Sequence, residues 1–283
     1  TDLEGNLLGR GAVSAVLGNR VDDTIRRTAQ ALKIALKDAR LSAGKLARIG
    51  VGHTGVLDVE RGLCLDWEGA EHWRGVPLAQ NLRESLGAEI TLDDRARAVA
   101  LALHLTWAEG RRHRIAIYVQ IGTGIGSGIF VNGRLLRGAS QTSGELGHMT
   151  IERNGPVCAC GRRGCVEAFA SLGATLARVR DAIERGEKTS LNDLGKQPAQ
   201  LTADDVVAAA RQGDGVAKDA LAVTGEAIGL GIANAVQLLN PSLVALTNAG
   251  VTIRISGGRV WRIVKGRHRP GRPRIRFCEM PQS

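Results

Sequence analysis

Between Val21 and Leu41, apolar residues recur at Ile25, Ala29, Leu32, Leu36 and Ala39. That spacing puts them on one helical face and predicts an amphipathic helix. Ile49 to Leu57 is a short apolar run leaving through Gly52-His53-Thr54-Gly55. It predicts a strand with the kind of glycine-rich exit where α/β proteins place ligands. Asp93 to Glu109 returns to helical character, with two acids at its start suited to the positive end of a helix dipole, and a first lobe is expected to end there. His113 to Ile121 then reads as a strand, followed by Gly122-Thr123-Gly124-Ile125-Gly126-Ser127-Gly128, a second strand Ile129-Phe130-Val131 and the turn Asn132-Gly133. This is a β-hairpin pattern with a glycine-rich bend at one end. Helices follow from about Val166, from Thr202-Ala203-Asp204-Asp205 with a capping-box pattern, and from Gly215 to Leu239. Asn240-Pro241 stops the last of them, and Leu243 to Leu246 supplies one more buried strand. At the other end, Thr1 to Asn6 reads as a hairpin turn, with Leu7 and Leu8 starting the returning strand; no partner strand precedes Thr1, so the chain is expected to be truncated there.

Composition sharpens this α/β picture. A chain of 283 residues with 43% apolar content can bury two modest cores, and aromatics at 3% leave Ala, Val, Leu and Ile to fill them. No apolar run approaches the ~18 residues of a membrane span and no leader pattern opens the chain, so a soluble, cytoplasmic protein without a membrane partner is expected. The net charge of +10 suggests nucleic acid until it is located: residues 251–283 carry nine Lys/Arg and one acid, and the rest is near neutral. Beyond Gly250 no helical or strand period persists.

The cysteines carry the most specific chemistry. Cys158-Ala159-Cys160-Gly161-Arg162-Arg163-Gly164-Cys165 places three thiols on a glycine-bearing loop, and His148 lies ten residues upstream of the first. Three sulfurs and an imidazole complete a tetrahedral shell for structural zinc, with no open position for water. Reduced thiols beside an unrelated histidine are the alternative.

Glu145-Leu146-Gly147-His148, followed by the CxCGxxGCxE string that ends at Glu167, resembles the signature of the ROK (repressor, open reading frame, kinase) family. Gly122 to Gly138, GTGIGSGIFVNGRLLRG, is similar to that family's phosphate-2 region and hairpin, so the resemblance spans roughly residues 1–250. It implies a two-lobed, actin-like ATPase (ribonuclease H-like) α/β fold with a Cys3His zinc loop, a sugar in the cleft and a homodimer or higher oligomer. The lobes are expected at 1–111 and 112–250, with 251–283 outside the fold. The resemblance further implies that Glu145, His148 and Glu167 contact sugar hydroxyls. Carboxylates accept bidentate bonds from neighbouring hydroxyls, and a metal on one nitrogen of His148 fixes the tautomer presented by the other.

Departures from the family decide between its activities. Its kinases carry an Asp as general base in a D-N-D-A-R-A-A-A-L-like segment, and the corresponding Asp93-Asp94-Arg95-Ala96-Arg97-Ala98-Val99-Ala100-Leu101 puts Arg95 at that position. A guanidinium stays protonated and cannot accept the sugar hydroxyl proton. A one-residue shift would give the role to Asp94 instead. The segment Leu65 to His72 lacks the family's sugar-binding Asn, with Asp66 or Glu71 as possible substitutes, and the family's N-terminal phosphate loop would precede Thr1. Gly122, Thr123 and Gly124 could wrap a nucleotide phosphate with backbone N–H groups or be a plain turn. Thr247-Asn248-Ala249-Gly250 stands where the family has a Gly-Gly-Gly turn for adenosine.

The basic tail, with Trp261, admits three readings: a nucleic-acid arm, a solvated end, or translation in a shifted frame, which the missing terminal helix favours. The whole points to the sugar-sensing effector domain of a transcriptional regulator, binding a hexose or amino sugar without phosphorylating it, and reaching DNA through a helix-turn-helix before Thr1. The alternative is a sugar kinase using ATP and Mg²⁺ with Asp94 as base, and a third reading is a chain that binds nothing.

Overall fold

Leu57, Cys64, Trp73, Leu78, Leu82 and Leu92 come from separate segments and converge into one buried cluster, the core of the first of two compact units. In the computed structural model, which describes residues 1–3, 5–14, 20–67, 70–108 and 110–247 together with the backbone of 248 and 274–277, these units are Thr1–Ala98 with Arg137–Thr142, and Val99–Leu136 with Ser143–Gln282. The division therefore falls at 98/99, inside a helix, where the sequence suggested 111/112, and residues 137–142 return to the first unit.

In the first unit, α1 (Val21–Asp38) matches the expected amphipathic helix. Val21 and Ile25 on its apolar face rest against the core. The expected strand over 49–57 is split at Thr54-Gly55 into β1 (Ile49–His53) and β2 (Val56–Asp58), because Gly55 turns the chain at φ 106°. β2 pairs antiparallel with β3 (Leu63–Asp66), and α2 (Leu78–Leu86) ends on Gly87 in the left-handed region. β4 (Ile90–Asp94) pairs parallel with β1, Gly52 opposite Asp93 and His53 opposite Asp94. The two acids expected inside a helix thus close a strand, and α3 (Arg95–Thr106) begins one residue later. At the N-terminus the predicted turn forms, with Asp2 N–H donating to the Asn6 carbonyl at 3.0 Å, but Leu7 and Leu8 do not start a strand.

The second unit is built on a five-stranded sheet in the order β7-β6-β5-β8-β9. β5 (Ile115–Ile121) is buried along nearly its whole length, as its continuous apolar run requires of a central strand. The hairpin bend is shorter than expected: β6 (Ile125–Val131) absorbs Gly126 and Gly128, leaving Gly122-Thr123-Gly124 to turn the chain. β7 (Arg134–Leu135) closes that edge. The helices are α4 (Val166–Ala170), α5 (Leu172–Glu184), α6 (Ala203–Gln212) and α7 (Gly215–Leu239). α6 carries the predicted capping box, Thr202 and Asp205 each accepting the other's backbone N–H.

Among the described residues α7 alone is long and apolar enough to cross a membrane, contrary to the expectation that no such run exists, yet 56% of its most apolar window is buried. Its Ile228, Ile232 and Val236 join Ile117, Val119, Val244 and Leu246 of the sheet in the main core. β8 (Leu243–Asn248) runs parallel to β5, as predicted for a buried strand after Asn240-Pro241. β9 (Arg274–Phe277) pairs parallel with β8, so these four residues of the basic tail belong to the sheet and not outside the fold. Trp261 and the rest of 251–283, with the readings attached to them, lie outside the described residues.

Candidate functional site

Two short segments of the second unit bring the cysteine loop and the Glu-Leu-Gly-His motif together. Residues Leu146–His148 form one 3-10 turn lying against β6, with the Ile125 carbonyl so close to Gly147 that a Cβ there would collide with it. The cysteine loop folds on itself: Cys158 N–H donates to the Arg162 carbonyl at 2.7 Å and Gly161 N–H to the Cys158 carbonyl at 2.9 Å. Gly164, at φ 70°, passes against the Glu152 carbonyl where no side chain fits. Cys165 then stands immediately before α4 and bridges back to Thr150 beside the 3-10 turn.

As a result, the ligand atoms of His148, Cys158, Cys160 and Cys165 all lie within 4.8 Å of one another. Cys158 Sγ is 3.7 Å from His148 Nδ1, and Cys160 Sγ is 3.7 Å from Cys165 Sγ. A tetrahedral zinc shell with bonds of about 2.3 Å to sulfur has edges of about 3.8 Å, so the set fits that ion. Burial pushes the Cys158 thiol up to about 12. Burial acts the same way on Cys160, but the Arg162 backbone and side chain and the two neighbouring sulfurs outweigh it and bring that thiol down to about 7.

The sugar-contact candidates flank this cluster. His148 turns Nδ1 to sulfur and leaves Nε2 at 3.8 Å from Glu145 Oε2, the division of labour expected of a histidine serving both a metal and a ligand. Glu167 lies in the first turn of α4, and its Oε2 accepts the Ile125 N–H at 2.6 Å, tying the cysteine loop to the glycine bend. Within that bend the Gly122 N–H already donates to the Gly124 carbonyl at 3.0 Å, while the Gly122 carbonyl accepts the Leu172 N–H at the start of α5 at 2.9 Å. Glu145, His148, Glu167 and residues 122–124 thus belong to one unit.

Asp94 and Arg95 belong to the other. Asp94 Oδ1 accepts the Arg97 N–H at 3.0 Å and so caps α3 from outside, as a short acidic side chain does at a helix start. Arg95, the first residue of α3, is half-buried and makes no ion pair among the described residues. Of the proposed substitutes for the sugar-binding Asn, Asp66 pairs with Arg74 at 3.3 Å and Glu71 opens a 3-10 turn.

Two groups here were missed by sequence reasoning. Asp93 accepts from Arg97 Nε at 3.1 Å and pairs with Arg137 Nη2 at 2.8 Å. Burial would raise its carboxyl, but Arg137, Arg97 and the Asp94 N–H together hold it below the usual carboxylate range. The Asp93–Arg97 half follows the i, i+4 rule and was legible; Arg137 arrives from a distant segment and had no signal. His53 sits between Trp67 and Trp73, ring centroids 4.8 and 4.9 Å away, with neither ring nitrogen partnered and its pKa lowered by burial.

Comparison with known proteins draws these features together. A glucokinase of Thermotoga maritima is 31% identical over 86% of this chain and 75% of its own length. A xylose repressor of Caldicellulosiruptor bescii is 29% identical over 82% of this chain, which spans only 57% of that repressor. Among solved structures, a ROK family transcriptional regulator homologous to the E. coli MLC protein superposes with a TM-score of 0.75 at 25% identity, covering 93% of this chain and 66% of that one. A ROK family glucokinase from Streptomyces griseus, in complex with glucose and AMPPNP, shares the fold at a TM-score of 0.81 and 24% identity, covering 98% of this chain and 88% of that one. Residues 2–252 match the ROK family as a whole, and the chain belongs to it.

Proposed function

We propose that this chain is the effector-binding part of a ROK transcriptional regulator, taking a hexose or amino sugar through Glu145, His148 and Glu167 without phosphorylating it. The carrying observation is the state of the base position. Arg95 occupies it, and Asp94, the fallback, already gives an oxygen to the cap of α3. Phosphoryl transfer requires a group that takes the hydroxyl proton, and a guanidinium cannot. Zinc held by His148, Cys158, Cys160 and Cys165 would stiffen the loop from which Glu167 reaches the glycine bend. DNA contact would fall to a segment beyond this chain, and assembly into a homodimer or higher oligomer fits the same reading. Sugar binding would act by favouring one of two arrangements of the whole regulator, to the extent that their affinities differ.

The kinase reading keeps one specific support: the chain spans most of a glucokinase that is 31% identical to it. In that case ATP and Mg²⁺ would meet Gly122, Thr123 and Gly124. An ATP-coupled assay with glucose, xylose and N-acetylglucosamine separates the two. No turnover is expected, with calorimetry showing sugar binding that needs no ATP and is lost in Glu167→Gln. Turnover in the kinase range of roughly 1–100 s⁻¹, abolished by Asp94→Asn, would overturn the effector reading.

A further inference from the structure

Three guanidinium groups gather at the end of β4 and the start of α3 against two carboxylates. Asp93 is shared between Arg97 and Arg137, and Asp94 is committed to the α3 cap. Arg95 is half-buried without a counter-ion among the described residues. Arg137 holds Asp93 through Nη2 at 2.8 Å, but its Nη1 is buried without a partner, although the side chain as a whole is 38% exposed and has room to rotate. A buried donor left without a partner marks an incomplete site. The place matters as well: β1 and β4 are parallel and end side by side at His53 and Asp94, and open α/β sheets receive ligands at the carboxyl ends of such strands.

From this we infer that the sugar recognised by this chain is anionic, carrying a phosphate or carboxylate on the carbon whose hydroxyl a kinase would phosphorylate, with Arg95 as its receptor and Arg137 in support. This rests on the sugar-binding reading above. A general base must stand within hydrogen-bond reach of the hydroxyl it deprotonates, so whatever replaces it faces the substituent on that same carbon. A guanidinium there offers only donors, in a fork that fits an oxyanion far better than a neutral hydroxyl. The exchange that removes the base therefore turns a place for a reacting alcohol into a place for its phosphorylated or oxidised product. The reaction supplying the ligand would accordingly be a sugar phosphorylation or an oxidation to the acid.

Calorimetry on the whole chain tests this with glucose, glucose 6-phosphate, glucuronate and inorganic phosphate, the two anionic sugars distinguishing the sources of the charge. At least one anionic sugar is expected to bind about tenfold or more tightly than glucose, and inorganic phosphate much more weakly than either. Arg95→Gln should erase that preference while glucose affinity stays within about twofold; Arg95→Lys, which keeps the charge but not the fork, should retain part of it. Thermal unfolding of both variants near the wild-type midpoint shows that the fold is kept. The inference is overturned if glucose binds as tightly as both anions, if Arg95→Gln weakens all sugars alike, or if inorganic phosphate binds as well as the sugar phosphate. Glucose binding without anionic preference sinks this inference alone, whereas failure of every sugar to bind sinks the effector reading with it.

Discussion

At the scale of single residues, the cysteine loop was the most legible part of the chain. His148, Cys158, Cys160 and Cys165 were chosen from spacing alone, and their ligand atoms converge within 4.8 Å. Local spacing suffices because three of the four lie within one eight-residue turn. Elemental analysis of the purified chain should find about one zinc per molecule, and Cys165→Ser should lose it together with a lower unfolding midpoint, since metal-binding energy at such a site is folding energy. Zinc retained at full stoichiometry in that variant would count against the Cys3His assignment. Asp94 illustrates the opposite case. Sequence offered it as a base, but its hydrogen bond to Arg97 N–H became visible only once the strand was seen to end there.

At the scale of elements, helices were read best where their caps are local. Thr202 and Asp205 form the predicted box, and Asp205 is held down to about 2, chiefly by the Lys196 ammonium and the Thr202 N–H. A stronger cap went unread. Asp214, before α7, accepts from Ala217 N–H at 2.9 Å and gathers Ser190 N–H at 2.7 Å with the Thr189 and Ser190 hydroxyls at 2.9 Å. Asp214→Ala should cost about 1–2 kcal/mol in denaturant unfolding, more than Thr202→Ala, because it also frees the segment before Leu191. Equal losses from the two substitutions would show that the long-range bonds add nothing. The residues from 58 to 92 had no assignment from their pattern, since β2, β3 and β4 have only three to five residues each and too few periods to register. β9 is the same case: Arg-Ile-Arg-Phe alternates, but four residues in a basic tail are too short to stand out.

At the scale of the whole molecule, each unit encloses one histidine whose charged form burial disfavours: His53 between two tryptophans, and His104 stacked on Phe130 with Nδ1 3.0 Å from the Tyr118 hydroxyl. For both, the folded pKa lies below that of the unfolded chain, near 6.5. Their contribution is therefore fully present above about pH 6.5 and declines as the pH falls, because the unfolded chain takes up the protons first. Urea unfolding should show a lower midpoint at pH 5.5 than at pH 7.5. His53→Phe and His104→Phe should each flatten that slope, and a slope unchanged in both would show that other groups govern it.

The sequence by itself determined what short-range chemistry can encode. Helical faces, caps, a thiol loop and the Glu-Leu-Gly-His motif follow from residue order over a few turns, and they sufficed to name the family. Tertiary structure decided what depends on distant segments meeting: Arg137 reaching Asp93, Glu167 binding the Ile125 N–H across 42 positions, the lobe division falling within α3, and a strand from the tail joining the sheet. Those contacts form because buried carboxylates and strand edges must find partners wherever the fold brings them, and side-chain pattern along the chain does not say which partner that will be.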